Sequence, residues 1–232
     1  MSTRRVSYPK TVEKAVADRV ALRRFPRPAR RIAQAFRRMQ DPTPAISDVL
    51  DTLGVNGVVS SAALRPVLAD GVIAGPAVTL RYAPERLTVT EGHRRGEKGK
   101  LGHMDAMALA RRGDVLVIDG GGAEISIFGG LAARALLKAG LSGVVVDASC
   151  RDLEEIRSLG CPVWSRHTSP RSGRLRMEAV EINGVVDAGG VQVRPGDLIV
   201  ADGNGIAVIP AGMAADVLKA VQELLRAETG TR

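Results

Sequence analysis

Between residues 114 and 166 the chain alternates short apolar runs with helical patterns: DVLVID (114–119), GGLAARALLKAG (129–140), GVVVDAS (143–149), RDLEEIRSLG (151–160) and CPVWSR (161–166). The runs are apolar throughout rather than at every second position, the mark of strands buried on both faces. Each of the first two is followed by a helix-length segment that stops on glycine. Parallel strands need such crossovers. The pattern predicts an α/β fold around a central, parallel-containing sheet. From residue 178 the texture changes. EAVEINGVVDAGGVQVRPGDLIVADGNGIAVIP has β-branched runs broken by Asn-Gly, Gly-Gly and Gly-Asn-Gly, which predicts antiparallel hairpins, and a closing helix follows over 212–227.

Upstream, TPAISDVLDTLG reads as a helix capped by Thr43 or Ser47 and stopped by Gly54. VIAGPAVTLRYA (72–83) reads as a strand whose start is interrupted by Gly75–Pro76. Residues 85–102 are charged and glycine-rich and read as a mobile loop, and HMDAMALARRG as a short helix closed by Gly113. No linker or internal repeat interrupts 41–232.

The formal charge of +8 is local. Residues 1–40 hold 12 Lys/Arg and 2 Asp/Glu, whereas 41–232 hold 21 and 23, a net of −2. Val12, Val16 and Val20, then Ile32, Phe36 and Met39, recur at helical spacing. Residues 1–28 therefore read as a basic, helical N-terminal extension and 29–232 as one domain. Packing of these helices on the body is the plain expectation; a nucleic-acid contact through the arm is the alternative. Aromatic residues make up only 3%, which argues against base-stacking surfaces. No eighteen-residue apolar stretch and no secretory h-region is present, and Cys150 and Cys161 lack metal-type spacing. The expectation is a reduced, cytoplasmic protein without membrane contact.

Ligands of open α/β sheets gather beyond the carboxyl ends of the strands. One such end carries Asp119, Gly120–Gly122 and then Gly129, Gly130, Leu131 and Ala132 at a helix start, where free N–H groups make an anion site. The next carries Asp147 and then Arg151 and Asp152. Arginine clamps carboxylates with a two-pronged fork, and aspartate holds hard cations such as Mg²⁺. The same pair can also be read as a helix cap plus a surface ion pair. His93, His103 and His167 are surface or packing residues or catalytic ones, with His103 the strongest candidate of the three. Cys150 beside Arg151 is either a thiol of lowered pKa or a small buried hydrophobe, and Trp164 belongs to the core.

The stretches ISDVLDTLG, AGPAVTLR, GDVLVIDGGG, FGGLAARALLKAGLSGVVVDASCRD and VRPGDLIVADGNGIAVIP follow one another over most of 43–210. In that order they resemble the RraA-like family, which includes the class II 4-hydroxy-4-methyl-2-oxoglutarate and 4-carboxy-4-hydroxy-2-oxoadipate pyruvate aldolases. The resemblance implies a swivelling β/β/α domain in homotrimers, sometimes hexamers. It implies a pyruvate-like ligand on the amides of Gly129 to Ala132, Arg151 as the substrate-contacting arginine, and Asp152 as the direct ligand of Mg²⁺ or Mn²⁺. The implied reaction is retro-aldol cleavage of a 4-hydroxy-2-keto diacid, with oxaloacetate decarboxylation through the same enolate. The family also holds non-enzymatic regulators that bind an RNA-degrading endonuclease; the resemblance implies that the bacterial regulator lacks the aspartate after the arginine, which this chain keeps as Asp152. Two positions depart from the aldolase pattern. Gly130 stands where many relatives carry an acidic residue, so Glu124 or Asp119 is expected to supply a carboxylate, and Ala148 replaces the usual glycine.

Overall fold

The computed structural model describes residues 18–22, 24–68 and 71–230. In chain order its elements are α1 (Arg30–Phe36), α2 (Pro42–Thr52), β1 (Val58–Ser60), β2 (Arg65–Leu68), β3 (Ile73–Pro84), α3 (Val89–Arg94), α4 (His103–Leu109), β4 (Val115–Phe128), α5 (Gly130–Ala139), β5 (Gly143–Cys150), α6 (Leu153–Ser158), β6 (Val163–Thr168), β7 (Met177–Ile182), β8 (Val186–Ala188), β9 (Val191–Val193), β10 (Leu198–Ala201), β11 (Gly205–Ile209) and α7 (Ala214–Gly230). The main sheet runs β1-β11-β10-β3-β4-β5-β6-β2, and β7 pairs with the second half of β3. β3 to β6 are mutually parallel, with α5 and α6 as crossovers; the remaining strands of the sheet pair antiparallel. This is the expected α/β class, with antiparallel hairpins and a closing helix at its C-terminal end.

Burial explains the apolar runs. Leu116, Ile118, Val144 and Val146 face Ala132, Ala133, Leu136 and Ile156 on the helix side. Their neighbours Val115, Val117 and Val145 face Trp164 and the β8–β9 hairpin residues Val186, Val191 and Val193 on the other. A third cluster joins Ile32, Phe36, Ile46, Leu50, Val217 and Val221 of α1, α2 and α7 to Leu198, Val200 and Ile209. Each such Val, Leu, Ile or Phe side chain stabilises the fold by about 1.5–3 kcal/mol relative to exposure.

Several local expectations change. β4 does not stop at Asp119 but runs on to Phe128. The glycines act as bulges, with Gly121 (φ 61°) and Gly122 (φ 69°) in the left-handed region, and the register against β5 shifts at each step. The helix at Pro42–Thr52 is not capped by the Thr43 or Ser47 side chain; instead the Asp202 carboxylate accepts from both the Thr43 backbone N–H (3.0 Å) and its hydroxyl (2.7 Å). The stretch 85–102 contains α3, because Thr88 and Glu91 stand at capping-box spacing and Thr88 Oγ1 accepts from the Glu91 N–H. Its far end is tied down by Lys100, which pairs with Glu85 and Glu178. Gly75–Pro76 does not break β3; there the strand changes its neighbour from β10 to β4.

Residues 1–17, including Val12 and Val16 of the expected extension, lie outside the described residues. Further on, the Ala21 N–H donates to the Ile182 carbonyl (2.9 Å), and Arg27 pairs with buried Asp114. Among the described residues no helix is long and apolar enough to cross a membrane.

Candidate active site

The carboxyl ends of β4 and β5 meet where Phe128 pairs with Cys150 and the Arg151 N–H donates to the Phe128 carbonyl (3.0 Å). This contact brings the start of α5 against the start of α6. Gly129 is the residue before α5, and a Cβ there would lie 2.7 Å from Asp152 Oδ2, so only glycine permits the approach. The Gly130 N–H donates to Asp152 Oδ2 at 3.0 Å. Asp152 has φ 59° and makes no side-chain cap to its own helix. Its left-handed backbone turns the carboxylate back onto the positive end of α5 instead. Arg151 Nε lies 3.5 Å from the same oxygen, and the two side chains are 44% and 42% exposed. Gly129, Gly130, Arg151 and Asp152 thus come together as anticipated; Leu131 points outward, 78% exposed, and Ala132 is buried. The capping reading holds in altered form, since Asp152 caps the neighbouring helix rather than its own.

A residue not anticipated completes the cluster. The Glu155 carboxylate lies over Gly130, where a Cβ would sit 2.1 Å from it. Its Oε1 pairs with Arg134 Nε at 2.8 Å, and Oε2 has no hydrogen-bond partner among the described residues. The signal was present in the sequence: Asp152 and Glu155 are one helical turn apart, and the missing side chain at 130 leaves room. Asp119 does not fill that role, because its oxygens accept from the N–H groups of Gly121 (2.9 Å) and Asp187 (3.2 Å). Glu124 lines a separate cleft of about 640 Å³ between β2, β6 and α6, with Arg65, Leu153, Arg157, Arg166 and His167. That cleft begins one residue beyond Asp152. Asp147 is structural: it is buried, gripped in two-pronged fashion by Arg166, and accepts from the Gly189 N–H (2.7 Å). Ala148 packs against Gly120, where an added Cβ would fall 2.7 Å from its own.

His103 is half-buried, its Nδ1 is shut off from water with no partner among the described residues, and desolvation pushes its pKa down to about 4. It is neutral near pH 7 and belongs to packing. His93 and His167 are exposed. Cys150 is fully buried, meets Ser165 Oγ at 3.2 Å, and has its thiol pKa raised by burial; it is the small hydrophobe rather than the activated thiol. Trp164 is core, its indole N–H donating to the Asp202 carbonyl (3.1 Å).

A doubly covered parallel core with a glycine-started helix and an Arg–Asp pair at its strand ends defines an α/β protein. The chain belongs to the RraA-like family, whose model, described as Aldolase/RraA, matches residues 43–208. It is 33% identical over 179 residues, 77% of each chain, to a Halalkalibacterium halodurans protein that bears the name "Putative 4-hydroxy-4-methyl-2-oxoglutarate aldolase". It is also 33% identical over 168 residues to Protein DlpA of Legionella pneumophila, covering 71% of this chain but about a quarter (25%) of that longer protein. Among solved structures it is similar to Streptomyces coelicolor RraAS2, described as an unusual member of the RNase ES inhibitor RraA protein family, with TM-score 0.75, 26% identity, and coverage of 90% of this chain and 99% of that one.

Proposed function

We propose that this protein is a divalent-metal-dependent carbon–carbon lyase that cleaves a small 4-hydroxy-2-keto diacid to pyruvate and a second keto acid, with oxaloacetate decarboxylation as a side activity. The observation that carries this reading is the meeting of Asp152, Arg151 and the Gly130 N–H at one strand end. The aldolase name borne by the H. halodurans relative supports it.

The residues fit Mg²⁺ or Mn²⁺. Asp152 Oδ2 is held by Gly130, while Oδ1 has no hydrogen-bond partner among the described residues. No three His, Cys, Asp or Glu converge among them, so the chain would fill only part of a coordination shell. Magnesium sites of this kind use one or two carboxylates and leave the rest to water and substrate. Asp152 would hold the ion, which when bound supplies Lewis-acid stabilisation to the developing enolate oxygen.

The chain's own groups do the rest. The N–H groups of Leu131 and Ala132, in the first turn of α5, have no intrahelical acceptor and receive the keto-acid carboxylate. Arg151 orients that end and places positive charge beside the oxygen that becomes negative. Glu155 Oε2 accepts the proton of the substrate's 4-hydroxyl through water. The C3–C4 bond then breaks, its electron pair remaining on C3 as the pyruvate enolate, and protonation at C3 releases pyruvate. Loss of CO₂ from oxaloacetate leaves the same enolate. The distal carboxylate of a diacid meets Arg157 or Arg65 in the adjoining cleft. The test is pyruvate release from 4-hydroxy-4-methyl-2-oxoglutarate and from oxaloacetate, coupled to lactate dehydrogenase, with and without Mg²⁺. No release from either substrate with Mg²⁺ or Mn²⁺ present sinks the reading.

The likeness to RraAS2 favours a second reading, a non-enzymatic regulator that binds an RNA-degrading endonuclease. Inhibition of such an endonuclease, unchanged in Asp152→Asn, together with no lyase activity, would establish it.

A further inference from the structure

At the opposite end of the sheet, where β3, β4 and β5 begin, the chain encloses a second cleft of about 680 Å³. Its walls are the segment before α1, α1 itself, the start of β3, and the turns that lead into β4 and β5. Among the described residues five arginines line it, Arg27, Arg30, Arg37, Arg111 and Arg112, against one carboxylate, Asp114. Asp114 is already engaged: Oδ1 pairs with Arg27 and Oδ2 accepts from the Arg111 backbone N–H at 2.7 Å. The Arg37 guanidinium is steered only by neutral oxygens, with Nε donating to the Ala74 carbonyl (2.8 Å) and the terminal nitrogen to Gly113 O (3.3 Å) and Ser142 Oγ (2.9 Å). Arg112 lies against Gly140, where a Cβ would fall 2.7 Å from its guanidinium. The side chains of Arg30, Arg111 and Arg112 make no ion pair with the described residues and are exposed. Four guanidiniums thus line one concavity with no ion-pair partner among the described residues, and focused like charge of this kind attracts anions.

We propose that this cleft binds a small ligand carrying two or more phosphoryl groups. Planar guanidinium forks match phosphate oxygens in pairs, and several forks around one cavity suit a polyvalent anion better than a single carboxylate. The volume is that of a small-molecule pocket. No aromatic side chain among the described residues lines the cleft, and the lack of a platform for stacked bases favours a compact polyanion over a nucleic-acid strand. The site also gives a role to part of the basic N-terminal segment, since Arg27, Arg30 and Arg37 all lie within residues 1–40.

The experiment is calorimetric titration of the full chain at physiological salt with tripolyphosphate, ATP, inorganic phosphate and a short oligothymidylate. One tripolyphosphate per chain is expected, bound more tightly than inorganic phosphate. Arg30→Ala and Arg112→Ala should each weaken binding by about tenfold, the loss of one charge-assisted contact. Both side chains are exposed, so the melting temperature should hold. Arg226→Ala, an exposed arginine on α7, should change nothing and controls for net charge. ATP equal to tripolyphosphate identifies a nucleoside polyphosphate as the source; ATP weaker identifies condensed phosphate, and either supports the site. Absence of tripolyphosphate binding at millimolar concentration overturns the proposal. So does wild-type affinity in the Arg30→Ala/Arg112→Ala double variant, or oligothymidylate binding that tripolyphosphate fails to displace.

Discussion

The Asp152 carboxylate rests on the backbone N–H of Gly130, 3.0 Å away, at the start of a helix twenty-two residues earlier in the chain (152 − 130). The two oxygens of one side chain therefore differ. Oδ2 satisfies a helix-terminal donor, and Oδ1 remains available. An alanine scan at this position would confuse the two, because alanine loses the cap and also resists the left-handed backbone at φ 59°.

Asp152→Asn separates them. Asparagine tolerates the left-handed conformation and keeps one acceptor for Gly130, but it loses the charge. Turnover should fall by two orders of magnitude or more while the melting temperature stays within experimental scatter. Asp152→Ala should lose turnover and also about 1 kcal/mol of stability from the missing cap. Normal pyruvate release by the asparagine variant would show that the carboxylate serves only as a cap.

Arg166 and Asp147 form a pair of the opposite kind. Asp147 is buried beneath the β8–β9 hairpin, and Arg166 is its charge partner. Arg166→Ala leaves the carboxylate uncompensated and should cost about 3 kcal/mol in urea unfolding. Asp147→Asn, which removes the buried charge, should cost less. Equal and small losses would mean that water solvates Asp147 through the adjoining cleft.

The parallel core is legible in the sequence because burial on both faces of β4 and β5 writes itself as unbroken apolar runs. The meeting of the strand-end glycines with the Arg151–Asp152 pair is legible because both follow the carboxyl ends of adjacent strands, although the residues alone fit a cap as well as a ligand site. Long-range caps leave no local trace: Asp202 holds Thr43 from 159 residues further along the chain, and nothing near Thr43 points to it. The basic cleft is hidden in the same way, because Arg37 and Arg112 become neighbours only after β3, β4 and β5 have aligned their starts. Glu155 was half visible, as a carboxylate one turn from Asp152 whose direction only the fold reveals.

His103 makes stability depend on pH. Its folded pKa is pushed down to about 4 by burial, below the ordinary value of 6.5. The unfolded chain therefore binds a proton more readily, so this contribution is fully present above about pH 6.5 and is lost as the pH falls toward 4. Between pH 7 and 4.5 the loss should be about 2–3 kcal/mol. His103→Gln should flatten that slope. An unchanged slope would place the acid sensitivity in other groups.

Exposed apolar surface on neighbouring helices points to self-association. Met104 (48%), Leu109 (41%) and Leu131 (78%) stand in water on α4 and α5, which pack against each other. Surface of this kind is usually covered. Light scattering should report three chains per particle, or six, at micromolar concentration, and Leu131→Glu should lower that mass. A monomer in the unaltered protein would remove the trimer from this reading.

The relation between Gly130 and Glu155 gives the most discriminating test, because each residue makes sense only through the other. A methyl at 130 would fall 2.1 Å from the Glu155 carboxylate, so Gly130→Ala must expel it. If Glu155 Oε2 takes the substrate's proton through water, Gly130→Ala and Glu155→Ala should lose similar turnover, on the order of the 10²-fold or more typical of a positioned acid or base. The double variant should be no slower than either single one, since the same carboxylate is absent in all three. Stability should behave differently. Glu155→Ala breaks a half-exposed pair with Arg134 and should cost less than about 1 kcal/mol. Adding Gly130→Ala to it should recover about 0.5–1 kcal/mol, because alanine is the better helix former and no longer meets an obstacle. Turnover losses that multiply in the double variant would show that the two positions act separately. Full activity in Glu155→Ala would leave Glu155 as an ion-pair partner of Arg134 and place the proton acceptor elsewhere.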